Sequence, residues 1–268
     1  MLANALKFAF EKATIEGKIT IGTLMVLSIF SWSVIISKGR QLMIARGMGR
    51  KFFAAYRGTK DPLDINKRGE DYEGAPAYDL YITGIEELNY QLEHSPVMVG
   101  GQKRMSASSF DTVRVAIERS ASAQALALEK GMIILSTAVA GGPFIGLLGT
   151  VWGVMETFSG IAIAASASLT AMAPGVAGAL IATVTGLFVA IPAMFAYNYM
   201  VTMIRAITQE LDAFASEFAT QLEHRYVDNR ALADEIRDAL QVISQGGAAI
   251  APKASTVPAP ANREPVPA

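Results

Sequence analysis

Between Gly131 and Ile204 the chain runs for 74 residues with one charged side chain, Glu156. A helix on the surface of a soluble domain needs a charged outer face. A buried soluble core is therefore the weaker reading of this stretch, and membrane spans are the stronger one. Met132–Phe158 and Pro174–Met203 are each long enough to cross a bilayer. Between them Gly160–Ala173 (GIAIAASASLTAMA) is small, uncharged and weakly polar, as a short turn would be. Ile19–Ser37 adds 19 uncharged residues bounded by Lys18 and Lys38. At 1.5 Å per residue it reaches about 28 Å, close to the hydrocarbon thickness of about 30 Å.

The expected class is an all-α membrane protein, with three transmembrane helices whose extensions form a cytoplasmic helical domain. The 18% of charged residues, against about 25% in soluble domains, agrees with it. Zero cysteine excludes disulfides, thiolate metal sites and cysteine nucleophiles. His94 and His224 stand apart from other ligand types, so no metal or cofactor is expected. The net charge of −1, with no aromatic-interleaved basic patch, gives no hint of nucleic acid. The first span is followed by Ser37-Lys38-Gly39-Arg40 rather than a cleavage site, which fits a retained anchor. Of 23 lysines and arginines, 14 lie in 38–130 and 6 follow the third span, and Lys38, Arg40, Arg46, Arg50 and Lys51 flank the first. The amino terminus is thus expected outside the cytoplasm, with loop and tail inside.

The expected divisions are an outer interfacial helix over 1–18, spans over 19–37, 131–160 and 174–204, and a turn over 161–173. A helical loop (38–130), a cytoplasmic helix (205–245) and a Pro/Ala tail (246–268) complete the chain. In the loop, Gln41–Tyr56 and Tyr78–Glu93 have helical character and Arg57–Pro76 is rich in turn residues. Ala107–Lys130 is expected to run unbroken into the second span. Beyond the third span, Ile204, Ile207, Leu211, Phe214, Phe218 and Leu222 recur at helical spacing, a stripe that would pack on the loop helices. The tail, with 5 of the 11 prolines, reads as disordered.

The spans are built for more than anchoring. Gly142, Gly146, Gly149 and Gly153 recur at 4, 3 and 4 residues, and Gly178, Ala182, Gly186 and Ala190 at strict intervals of 4. Small faces let helices approach closely, which drives association in lipid. Pro143 and Pro192 predict kinks that neighbouring groups must re-satisfy. Thr150 and Thr183 lie near mid-span, where a threonine is commonly satisfied by its own i−4 carbonyl. Glu156 is costlier: a charge inside a span costs about 2.5–3.5 kcal/mol on insertion scales and usually faces a cavity or ion path. Its competing reading is interfacial, with the carboxylate reaching the headgroups.

GGPFIGLLGTVWGVM (141–155), APGVAGALIATVTGLFVAIPA (173–193) and Tyr197-Asn198 resemble the ExbB/TolQ proton-channel family. Ser31-Trp32 and Leu128-Glu-Lys-Gly131 extend the similarity over most of the chain. The flagellar stator subunit MotA belongs to the same superfamily and matches less well. The resemblance implies a three-span subunit that assembles as a homopentamer around the single spans of an ExbD/TolR-like partner dimer. The partner supplies a membrane aspartate, and proton motive force acting through it is passed on by a TonB- or TolA-like protein. It implies a bacterial inner-membrane location, H+ as the translocated ion, and no enzyme activity.

The family's pore threonines fall on Thr150 and Thr183; Gly142, Pro143, Gly146, Gly149, Gly153, Pro174, Gly178, Gly186 and Pro192 fall in its packed pore wall. Many members carry glutamate in a Pro-Gly-Ile-Ala-Glu-Ala-Leu pattern, where this chain has Gly178. Glu156 lies six residues beyond Thr150, and position 178 lies five before Thr183. In antiparallel spans those offsets, about 9 and 7.5 Å, put Glu156 near the depth of the missing acid. The expectation is that Glu156 replaces it. A non-conducting scaffold of the same fold is the alternative, favoured only by the lost glutamate. No nucleophile, metal or cofactor constellation speaks for a membrane enzyme, and glycines 141–153 lack the Lys-Ser/Thr of a phosphate loop.

Overall fold

The architecture comes from a computed structural model, which describes residues 15–99, 102–164 and 169–227. It is all-α apart from one short hairpin. The helices are α1 (Ile15–Arg57), α2 (Asp64–Arg68), α3 (Pro76–His94), α4 (Ala107–Glu129), α5 (Met132–Ala164) and α6 (Leu169–Tyr226). Strands β1 (Val97–Val99) and β2 (Gln102–Arg104) pair antiparallel between α3 and α4, with Met98 opposite Lys103. Three helical segments, one each in α1, α5 and α6, are long and apolar enough to cross a membrane. The expected interfacial helix over 1–18 falls mostly, and the Pro/Ala tail wholly, outside the described residues.

α1 and α6 start, and α5 stops, at one end of the bundle, its upper end; the helical domain is at the lower end. α1 does not stop where its apolar run stops. Its buried face includes Gly17, Leu24, Ser31, Lys38, Ala45 and Phe52, one residue every seven, with Ile21, Leu42, Gly49 and Tyr56 alongside. A seven-residue repeat keeps one seam of a helix facing its neighbours, so a single helix serves both the span and the domain. Lys38 is buried midway. Its Nζ donates to Gln41 Oε1 at 2.8 Å and to the Ala127 carbonyl at 3.0 Å, in the last turn of α4. An ammonium there meets orphan carbonyls and the negative end of the helix dipole.

The expected stripe on α6 forms the core of the domain. Leu211, Phe214, Phe218 and Leu222 pack with Phe52 and Tyr56 of α1, Leu80 and Tyr81 of α3, and Val113 and Ile117 of α4. Phe214 meets Phe52 and Tyr56 edge-on, with centroids 5.3 and 5.0 Å apart, the geometry that aromatic quadrupoles favour. Gly84 of α3 is required at this junction, since a Cβ there would lie 2.7 Å from Phe218 Cε1 and 2.9 Å from Ile117 Cγ1. Met105 closes the domain, its N–H donating to the Tyr226 carbonyl at 2.9 Å.

The structure corrects two expectations. The turn expected over 161–173 is largely helical, with α5 running on to Ala164 and α6 beginning at Leu169, because small uncharged residues such as alanine continue a helix readily. α4 does not run unbroken into the second span: it ends at Glu129, and Gly131, at φ +90°, separates it from α5. That conformation favours glycine, and the high helix propensity of the flanking residues masked the break. The hairpin was likewise not anticipated, because its strands are three residues each.

The spans pack on their small faces. Gly142, Gly146, Gly149 and Gly153 are all buried, as are Gly178, Ala182, Gly186 and Ala190. A Cβ at Gly146 would lie 2.9 Å from the Ala182 carbonyl oxygen, and one at Gly186 would lie 2.5 Å from the Gly142 carbonyl oxygen. Backbone meets backbone along this seam. Phe144, Phe188 and Phe195 point away from it and are exposed on the isolated chain. Pro143 and Pro192 sit inside their helices, and Pro174 near the start of α6, all half-buried.

Gly146→Ala should cost about 1–3 kcal/mol, the usual cost of overpacking, read as a lower unfolding midpoint in detergent. Gly141→Ala, with nothing within 4 Å of the added carbon, should leave it unchanged. In the domain, Asp61 accepts from the Leu63 N–H (3.1 Å) and from Lys67 Nζ (2.7 Å), and it pairs with Arg225 (3.4 Å). Desolvation pushes its carboxyl up, but the Lys67 and Leu63 hydrogen bonds and the Arg225 charge outweigh that and hold it below the usual range. Its stabilisation is therefore present above the unfolded carboxyl's value and is lost as pH falls through the lowered folded value. Hydrogen exchange at the end of α6 should accelerate across that window, and Asp61→Asn should remove this pH dependence.

Candidate functional site

Two threonines meet where α5 and α6 come closest. Removing the side chain at Gly146 lets α6 approach until Thr183 Cα would stand 3.0 Å from a Cβ on that glycine. Thr183 Oγ1 then reaches across to donate to the Gly146 carbonyl at 3.1 Å. Thr150, one turn above Gly146, donates to the same carbonyl at 3.1 Å, and the Ala179 carbonyl is 3.4 Å from its Oγ1. The two hydroxyls also hydrogen-bond to each other, and either can be the donor.

The two hydroxyls hold two protons between them, and the acceptors in reach are Gly146 O, Ala179 O and each other's oxygen. More than one arrangement satisfies the pair, so both hydroxyls keep the capacity to donate and to accept. Both side chains are half-buried rather than sealed. An i−4 carbonyl satisfies Thr150, as the sequence alone allowed, but the same carbonyl also serves Thr183 from the other helix.

The remaining expected site residues divide around this pair. Above it, Gly153 lies against Ala179, and Thr157 against Gly175. Glu156 thus stands opposite about residue 176, about 3 Å above the level of Gly178. Its side chain is exposed on the isolated chain and makes no hydrogen bond or ion pair with the described residues. Six residues separate it from Thr150, so the two point about 120° apart around α5. Gly178, five residues from Thr183, is turned about 140° away from it and is buried. The threonines therefore occupy one side of the seam and Glu156 and Gly178 the other.

α1 covers that second side. Thr20 is buried, donates to the Gly17 carbonyl at 2.9 Å, and places its Oγ1 2.8 Å from where a Cβ on Gly149 would be. A position so close to the start of an apolar run looks like a span boundary, so Thr20 escaped the sequence reading. The seven-residue spacing of Gly17, Leu24, Ser31 and Lys38 was the signal that would have found this face. Among the described residues no group of His, Asp and Glu is placed to hold a metal ion.

Comparison with known proteins places this chain in a family. Residues 89–213 match the model of the MotA/TolQ/ExbB proton channel family. The chain is 36% identical over 231 residues to the Tol-Pal system protein TolQ of Haemophilus influenzae, covering 83% of this chain and 95% of that one. Against TolQ of Pseudomonas aeruginosa it is 32% identical, covering 81% and 91%. Against the biopolymer transport protein ExbB of Xanthomonas campestris it is 40% identical, covering 73% and 77%. The chain belongs to the MotA/TolQ/ExbB proton channel family.

Proposed function

We propose that this family member is a proton-conducting wall subunit of an ExbB–ExbD or TolQ–TolR type machine in the bacterial inner membrane. The observation that carries the reading is the Thr150–Thr183 pair, two hydroxyls sharing the Gly146 carbonyl at the closest approach of two spans. The subunit works as a homopentamer around the spans of an ExbD/TolR-like partner dimer, whose membrane aspartate is surrounded by five copies of the pair. Such a ring stabilises either protonation state of the aspartate without a fixed charge of its own. The ion is H+, and the energy is passed to a TonB- or TolA-like protein serving envelope processes such as outer-membrane transport. The subunit itself is no enzyme and needs no cofactor.

The amino terminus lies on the periplasmic side, and the helical domain in the cytoplasm, because 20 of the 23 lysines and arginines lie in 38–130 or after the third span. The upper end of the bundle then faces the periplasm. Glu156 stands at that end as an acid near the outer mouth, in place of the glutamate that relatives carry at position 178. A second reading, a scaffold that does not conduct, is favoured by Gly178 alone.

Proton flux into vesicles holding the complete complex distinguishes the two. Thr150→Val and Thr183→Val should each lower the flux by about 100-fold or more, the range of about 100- to 10,000-fold being usual for loss of a proton-transfer group, while Thr183→Ser keeps most of it. A Thr150→Val/Thr183→Val double variant that conducts like the wild type overturns the channel reading. Glu156→Gln should sharply reduce flux, and Gly178→Glu added to it should partly restore it. A fully active Glu156→Gln variant would remove Glu156 from the path.

A further inference from the structure

One carbonyl at the junction of α4 and α5 has two candidate donors. In an unbroken helix the N–H of Gly131 would donate to the carbonyl of Ala127, four residues back. Here Lys130, at φ −54° and ψ 126°, and Gly131, at φ +90°, fit the central positions of a type II turn. That turn takes the Gly131 N–H out of helical geometry. The Ala127 carbonyl is filled from another helix instead: Lys38 Nζ, buried on α1, donates to it at 3.0 Å. A side-chain cation of α1 thus stands in for the backbone donor that a continuous helix would supply.

The rest of the junction suits either arrangement. Leu128, Met132, Leu135 and Ala138 are all buried and pack in one cluster with Leu42 and Ala45 of α1. Their spacings of 4, 3 and 3 are those of one face of a continuous helix. Winding 129–132 into helix therefore keeps the same apolar face on α1. Both helices run upward, since α4 starts beside the lower end of α6, where Met105 bonds to Tyr226, and ends at Lys38. Space is available as well. Nothing lies within 4 Å of a Cβ added at Gly131, and a groove of about 380 Å³ flanks the junction, its walls including Glu129, Met132 and Ile133 on one side and Tyr197 and Val201 on the other.

We propose that Lys38 is a switch between two forms of the α4–α5 connection. Engaged on Ala127, it keeps α4 and α5 apart as two helices. Withdrawn, it leaves the carbonyl to the Gly131 N–H, and 107–164 becomes one helix. Lys38 sits midway along α1, so a displacement of α1 past the end of α4 that stretches the Nζ–carbonyl hydrogen bond beyond its working distance throws the switch. The first span thereby sets whether the second is hinged on the helical domain or continuous with it. This inference goes beyond the channel reading and does not depend on it.

Hydrogen exchange of the complete complex in lipid, followed at the amides of residues 131–133, tests this. A cap and a switch predict opposite signs. If Lys38 only caps α4, Lys38→Met frays the last turn of that helix and exchange around the junction speeds up. If Lys38 is the switch, the same substitution gives these amides helical acceptors, and their exchange should slow by about tenfold or more. Gly131→Ala, which disfavours φ +90° and favours helix, should slow it too, with Lys38 still in place. Exchange that is faster or unchanged in Lys38→Met overturns the proposal. Should Lys38→Met fail to assemble, Gly131→Ala decides by the same reading: slower exchange supports the switch, and faster or unchanged exchange overturns it.

Discussion

Backbone contact between two membrane helices is the constraint from which the rest of this structure proceeds. Gly142, Gly146, Gly149 and Gly153 strip one face of α5, and Ala179, Ala182, Gly186 and Ala190 meet it from α6. Within lipid there is no hydrophobic gain from bringing apolar helices together, so close packing must hold them. That packing decides the chemistry too. Thr183 reaches a carbonyl of the neighbouring helix only because Gly146 offers no side chain in between. A single methyl at that point would separate the two hydroxyls as well as the two helices.

The sequence was most legible where one physical demand dominates. Lipid tolerates almost no charge, so the three spans stand out, and period-3.6 burial made the Ile204–Leu222 stripe readable before any contact was known. It was least legible where two demands overlap. α1 serves lipid above and a helical domain below with one seven-residue stripe, and the change from Leu24 to Ser31 to Lys38 along it hides the repeat from a hydropathy scan. Gly131 was hidden differently. A lone glycine between good helix formers costs only about 1 kcal/mol as helix, and only the φ of +90° shows that it is a break. Thr150 and Thr183 could be named from the sequence, but their shared acceptor could not. That depends on the register between two helices, which brings together residues 33 positions apart in sequence.

The placement of acids shows the same limit from another side. Counting residues along antiparallel spans gave Glu156 nearly the right depth relative to Gly178. Depth alone, however, does not say which way a side chain leaves its helix. Glu156 points about 120° from Thr150, so a matching depth does not bring it to the threonines.

The unbroken lengths of α1 and α6 have a mechanical consequence. At 1.5 Å per residue, 43 and 58 residues make rods of about 64 and 87 Å. Each passes from apolar span to polar domain without a break in the helix, α6 with Pro192 inside it, so a tilt or turn of the upper part is carried into the lower part. The second span has no such stiffness. At Gly131 it meets α4 through a residue outside helical geometry, and a bend between membrane and domain would concentrate there. Two struts and one elbow thus join the halves of the subunit, and the elbow lies four residues beyond Ala127, whose carbonyl Lys38 holds at the end of α4.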